Sequence, residues 1–389
     1  MSNILDYVKW RSDITLDMMP LNEIDSLIFT ELCYLPFEHL IPSLGSKKKI
    51  TLSEAADRFL DIYDENKSIG AIIPGQFIIR LLRYVGKTLR FSDVKVWGYV
   101  NDVSTDTEKQ FSAMCFSWGR NTFIAFRGTD DTLIGWKEDL NMALYTPIPA
   151  QTDGVNYAER IATLTKDKLY IGGHSKGGNV AVYTALNMLP KYKKRLVAVY
   201  NFDGPGFTNE YLDSASDPGV ENRIYNFLPS GSVIGRIFDS VGEVTVVKSY
   251  SKGIQQHDAF SWCVMGTEFV GAKKFDKNSD EFHDLLKSWV YNMPKEDRHK
   301  FVEAFYRIVT STNASTLSDI LVTKMKFAMG IISASGEDKK VVFEGIKQLI
   351  KEKNAIKDPQ KVKLHIIKDK YDDTPMESVY FLPGKKKNK

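Results

Sequence analysis

Leu169-Tyr170-Ile171-Gly172-Gly173-His174-Ser175-Lys176-Gly177-Gly178-Asn179 runs from an apolar strand, through a glycine-flanked serine, into the amphipathic stretch NVAVYTALNML. A turn this tight lifts the serine hydroxyl above the sheet. It also demands minimal side chains two positions to either side, because strand and helix backbones close on them. Gly173 and Gly177 meet that demand. Ser175 is therefore the candidate nucleophile. A serine entering a helix also brings unpaired backbone N–H groups and the positive dipole end to a developing oxyanion, which makes the N–H of Lys176 the first candidate donor. His174 sits beside Ser175 but is turned away from its hydroxyl by the elbow, so packing is its expected role.

The surroundings of this turn agree with it. Upstream, KQFSAMCFSW and NTFIAF are strand-like runs separated by Gly119-Arg120-Asn121, a hairpin signal. Downstream, the strand-like runs LVAVYNFDG, RIYNFLP and VTVVKSY follow the elbow helix, an alternation that predicts a mainly parallel sheet flanked by helices. The expected fold is an α/β-hydrolase fold, with extra N-terminal helices from about Leu21 to Arg90 and a C-terminal helical appendage. The expected division is a hydrolase domain over 1–275, a helical appendage over 276–355 built from EFHDLLKSWVYNM, HKFVEAFYRIV, LSDILVTKMKFAMGII and KKVVFEGIKQLIKEK, and a tail over 356–389 that contains KLHIIKD and ends in PGKKKNK. The basic run reads as a solvated end.

Composition limits the function classes. The 389 residues are 43% hydrophobic and 26% charged, enough apolar material for a large core, and a net charge of +3 argues against a surface-wide nucleic-acid field. Cys33, Cys115 and Cys263 are an odd, widely spaced set, which suits reduced thiols in a cytoplasmic protein and gives no metal-ligand pattern. The first residues do not read as a secretory signal, and no run of about 18 apolar residues predicts a membrane span, though transient membrane-surface contact stays open. No metal or organic cofactor is implied.

A serine hydroxyl is a weak nucleophile near neutrality and needs a histidine to take its proton. In the order Ser, acid, His, only His257, His283, His299 and His365 are eligible. His257, in the loop KGIQQHDAFSW after the last strand, is positioned to reach over the sheet. For the acid, Asp203 ends the strand YNFDG at the sheet edge that also holds Ser175. One strand later, where an acid is more usual, the sequence reads FLPSGSV with no carboxylate before Asp239. Asp203 leads, with Asp239 and Asp258 as alternatives.

The segment FIAFRGTD, followed by Trp136 and Asp139-Leu140, resembles the class 3 lipases. The resemblance implies that Thr129 lends a backbone N–H, with its hydroxyl, to the oxyanion hole, and that Trp136 and Asp139 support it. Together, NILDYVKWRSDITL, AFRGTD, GGHSKGGN, NFDGPGF and QHDAFSW resemble a bacterial family of lipase-like α/β-hydrolases whose domain has no assigned substrate. The resemblance covers about residues 1–265. Two departures from ordinary class 3 lipases stand out: Ser232 where their acid is expected, and Lys176 after the nucleophile, which reads as a solvated side chain or a positive charge at the site entrance. The expected activity is serine-dependent hydrolysis of a carboxylic ester, of a small molecule or a lipid. A catalytically idle binding scaffold and a serine acyltransferase or thioesterase are the alternatives.

Overall fold

The computed structural model describes residues 2–46, 48–64, 75–104, 106, 108–130, 133–142, 144–310 and 334–357. Four helices lead in: α1 (Ile4–Trp10), α2 (Glu23–Leu32), α3 (Leu52–Leu60) and α4 (Gly75–Val85), with the short strand β1 (Ile50–Thr51) before α3. Asn3 and Asn22 start the first two helices, each accepting from backbone N–H groups while an acid three residues on, Asp6 or Asp25, reaches back to the cap. These reciprocal caps satisfy donors that a helix start leaves orphaned.

Strands β2 (Lys95–Ser104), β3 (Lys109–Trp118) and β4 (Asn121–Phe126) form an antiparallel meander, and the hairpin turns at Gly119-Arg120 as its sequence predicts. The chain then alternates: α5 (Leu133–Asn141), α6 (Pro149–Leu164), β5 (Lys168–His174), α7 (Lys176–Asn187), α8 (Pro190–Lys193), β6 (Leu196–Phe202), α9 (Asn209–Ala215), α10 (Pro218–Glu221), β7 (Ile224–Pro229) and β8 (Glu243–Val247). All eight strands lie in one sheet in sequence order, and β4 through β8 are parallel. This is the α/β-hydrolase arrangement expected from the sequence.

Strands β4 to β7 are largely buried on both faces, so alternate residues feed different cores. Phe123 and Ala125 join one apolar cluster with Phe29, Phe91 and Trp262 on the side of the lead-in helices. Ile124 and Phe126 join the other, with Ile171, Val180 and Ala181 on the side of α6 and α7. Burial of whole aromatic and aliphatic side chains on each face stabilises such a sheet by about 1.5–3 kcal/mol per side chain. Phe29 of α2 stacks on Phe116 of β3 with ring centroids 4.3 Å apart, which fixes the lead-in helices against the sheet.

After β8 come two short 3-10 segments, Gly253–His257 and Ala259–Ser261, and a small antiparallel pair, β9 (Val264–Met265) with β10 (Glu268–Phe269), that the sequence pattern did not predict. Helices α11 (Lys277–Asn292), α12 (Lys295–Thr310) and a last described helix, Gly336–Lys357, follow. They are not detached. Lys287 of α11 binds Asp239 at 2.6 Å, Ser279 donates to the Ser232 carbonyl at 2.6 Å, and Lys137 of α5 lies 3.2 Å from Glu303 of α12. The predicted helical run LSDILVTKMKFAMGII, the predicted strand KLHIIKD and the basic tail lie outside the described residues.

Candidate active site

The parallel register brings the carboxyl ends of β5 and β6 side by side, pairing His174 with Phe202, and the chain turns sharply after each. Ser175 has φ 58° and Asp203 has φ 49°, both in a region that L-residues other than glycine avoid. The turns are held by ladder-like bonds: Ser175 N donates to Phe202 O at 2.9 Å, and Asp203 N donates to Phe227 O at 2.9 Å. Glycine is obligatory around the first turn. A Cβ on Gly173 would lie 2.1 Å from the Gly177 carbonyl carbon, and one on Gly177 would lie 2.2 Å from Phe126 O. Both obstacles are backbone, which has nowhere to move.

Ser175 is buried, at 8% exposure. Across from it, His257 Nδ1 is 2.6 Å from Asp203 Oδ2, with the carboxylate fully buried and the imidazole 13% exposed. The other carboxylate oxygen, Oδ1, accepts from Ser232 Oγ at 2.5 Å and from Gly235 N at 3.2 Å. Ser232, standing where an acid was looked for, thus donates to the acid instead. No hydrogen bond joins Ser175 Oγ to the imidazole among the described residues. The two alternative acids are engaged elsewhere: Asp239 with Lys287 at 2.6 Å and His283 at 3.6 Å, and Asp258 with Phe260 N at 3.0 Å.

Two backbone N–H groups near the elbow have no acceptor among the described residues. Lys176 is the first residue of α7, so its N–H has no acceptor within the helix. Among the described residues, no acceptor takes the Thr129 N–H. The Thr129 hydroxyl lies 2.8 Å and 2.7 Å from the two oxygens of Asp139, and its single proton is therefore committed to that carboxylate. Burial pushes the Asp139 carboxyl up to about 6. The side chain of Trp136 lies outside the described residues.

The structure corrects the expectation for the Lys176 side chain. It is neither solvated nor at an entrance. It is 1% exposed, and its ammonium bonds Glu138 Oε2 at 2.8 Å, Gln110 O at 3.2 Å and Gln110 Oε1 at 3.3 Å. Three N–H donors meet three acceptors, and Glu138 also accepts from Gln110 N and Ala150 N. A buried charge is tolerated when paired and fully hydrogen-bonded, and this one ties the start of α7 to α5 and β3.

His174 is buried as expected, but it does more than pack. Its Nε2 lies 2.9 Å from His257 O, its Nδ1 lies 3.1 Å from Tyr34 Oη, and the two imidazole rings stand 4.6 Å apart. Glu31, also fully buried, lies 3.7 Å from His174 Nδ1. Sequence reasoning had no signal for Tyr34, Glu31, Gln110 or Glu138, all of which come from elements distant along the chain. Among the described residues, no His, Cys, Asp or Glu grouping could hold a metal ion, and no helix is long and apolar enough to cross a membrane.

A family model described as Mbeg1-like matches residues 85–307. The chain belongs to the Mbeg1-like family. This is a lipase-like family, and the Mbeg1-like match spans Thr129, Ser175, Lys176, Asp203 and His257 while leaving out Glu31 and Tyr34. A solved structure, the crystal structure of M37 lipase, is similar at 13% identity with a TM-score of 0.32, over 55% of this chain and 68% of that one. No curated protein matches this Mbeg1-like chain.

Proposed function

We propose that this Mbeg1-like protein is a serine hydrolase that cleaves a carboxylic ester, of a lipid or a small molecule, through an acyl-enzyme on Ser175. The observation that carries the reading is the 2.6 Å contact between His257 Nδ1 and a fully buried Asp203 carboxylate beside a serine at φ 58°. Asp203 accepts a hydrogen bond from Nδ1–H, which leaves Nε2 of His257 as the free base. Ser175 Oγ attacks the ester carbonyl while its proton passes to Nε2. The oxyanion that forms is met by the N–H groups of Thr129 and Lys176, neither of which is committed to another acceptor. His257 returns the proton to the departing alkoxide, and water then repeats the sequence on the acyl-enzyme, releasing the acid and restoring Ser175.

The missing Ser175–His257 bond is consistent with this scheme, because such contacts are often long or misaligned without substrate and tighten when it binds. All three cysteines are buried thiols outside any disulfide, which supports a reducing compartment, and we place the protein in the cytoplasm. The test is labelling with a fluorophosphonate and hydrolysis of p-nitrophenyl esters of graded chain length. Adduct on the peptide containing Ser175, lost in Ser175→Ala together with hydrolysis, supports the enzyme. A folded wild-type protein that neither reacts nor hydrolyses would turn the reading towards a scaffold. Faster product formation when alternative alcohols or thiols are supplied would turn it towards acyl transfer.

A further inference from the structure

The imidazole of His257 hangs from the end of an exposed loop: Lys252, Gly253, Ile254 and Gln255 all face solvent, and the loop enters its 3-10 turn at Gly253. Asp203 fixes only the Nδ1 end of the ring. A ring held at one atom can still swing with the backbone that carries it. Trp262 Nε1 donates to the Gln256 carbonyl at 2.8 Å and Gly231 N to the Gln256 side chain at 3.0 Å, and the carbonyl of His257 itself is held by the histidine preceding the nucleophile.

A carbonyl oxygen only accepts hydrogen bonds, so the 2.9 Å contact between His174 Nε2 and His257 O requires the proton on Nε2. Burial holds the His174 imidazole well below its usual titration range, hence neutral, and Nδ1 is then an acceptor that takes the Tyr34 hydroxyl at 3.1 Å. Glu31, the other group near Nδ1, is pushed well above the usual carboxylate range by burial and so stays protonated. An ionised acid there would favour a charged His174 with its ring centroid 4.6 Å from that of His257, working against the second imidazole becoming an imidazolium.

We propose that His174 is a positioning residue for His257: by donating to the His257 backbone carbonyl from the elbow itself, it sets base and nucleophile on one rigid unit. Tyr34 in turn fixes the orientation of the His174 ring. The inference rests on the proposed roles of Ser175 and His257. It assigns a reason for histidine at position 174 that packing alone does not supply.

The test uses side chains of graded reach. Glutamine carries Nε2 the same number of bonds from its backbone as histidine does, whereas the asparagine amide stops one bond short and phenylalanine keeps volume without a donor. His174→Gln is expected to retain the wild-type kcat within about threefold. His174→Asn and His174→Phe are expected to lose about 10–100-fold in kcat with KM moving less than threefold, the size of effect that follows when a catalytic group is misplaced by less than an ångström or so. A second readout needs no turnover: the downfield proton NMR signal of the His257 Nδ1–H, identified by its loss in Asp203→Asn, should persist in His174→Gln and broaden or vanish in His174→Asn. Equal kcat in His174→Gln and His174→Asn, with the downfield proton unchanged in both, overturns the inference. Should wild-type protein resist fluorophosphonate altogether, the hydrolase reading falls, and the NMR comparison still decides the His174–His257 link by the same criterion.

Discussion

Replacing Lys176 by methionine isolates the buried ion pair behind the elbow. In the wild type, the ammonium gives all three protons to Glu138 and Gln110, and Glu138 receives two further backbone N–H bonds. Methionine preserves most of the side-chain volume, so the dominant change is electrostatic: Glu138, fully buried, loses its counter-ion. Removing one partner of such a pair costs about 3–5 kcal/mol. At about 2–4 °C per kcal/mol for a domain of this size, the melting temperature should fall by about 6–20 °C. The second half of the cycle fixes the cause. Glu138→Gln alone should destabilise, because it leaves the buried Lys176 ammonium without its counter-ion. In the Lys176→Met background the same change should instead raise stability by about 1–3 kcal/mol, because it removes a stranded charge. Urea and thermal unfolding of the four proteins supply the numbers. A loss below about 1 kcal/mol for Lys176→Met, or the same sign for Glu138→Gln in both backgrounds, would refute the account.

Three further outcomes follow from the same geometry. Asp203→Asn keeps the shape of the acid but favours the wrong imidazole tautomer, and kcat should drop by about 10⁴-fold with KM little changed, measured on whichever p-nitrophenyl ester the wild type prefers. Gly177→Ala drives a methyl group against the Phe126 carbonyl and should cost about 1–3 kcal/mol in unfolding experiments, together with most of the fluorophosphonate reactivity. Glu31→Gln tests the buried acid through pH. A carboxyl whose folded pKa is raised contributes stability that is complete below the unfolded value and is lost as pH climbs through the folded one. The variant should therefore match the wild type near pH 4 and out-melt it increasingly towards pH 8, and parallel melting curves across that window would contradict a protonated Glu31.

The elbow, the hairpin and the parallel strands are legible in the sequence because each is a local event. A strand ending in Gly-His-Ser-Lys-Gly fixes its own backbone, and runs such as LVAVYNF carry burial on both faces in their composition. Asp203 was reachable by a semi-local argument, since turn residues directly after a strand place it at the sheet edge. What could not be read is pairing across the fold. A lysine after the nucleophile looks solvent-bound until Glu138, 38 residues earlier, is folded against it. His174 and Tyr34 meet across 140 residues, and nothing in either neighbourhood announces the partner. The β9–β10 pair was missed for a simpler reason: two-residue strands are too short to carry a period.

The left-handed backbone at Ser175 and Asp203 has a consequence for how this protein can change. A non-glycine residue in such a sparsely populated backbone region costs about 1–3 kcal/mol, and folded proteins hold only about 5–15 kcal/mol in reserve. Glycine in place of Ser175 would relieve that strain and remove the proposed nucleophile, whereas glycine in place of Asp203 would strand the donors of Ser232, Gly235 and His257. At Ser175, then, backbone comfort and the proposed chemistry ask for different residues, while at Asp203 the hydrogen bonds to the carboxylate offset the strain of its corner.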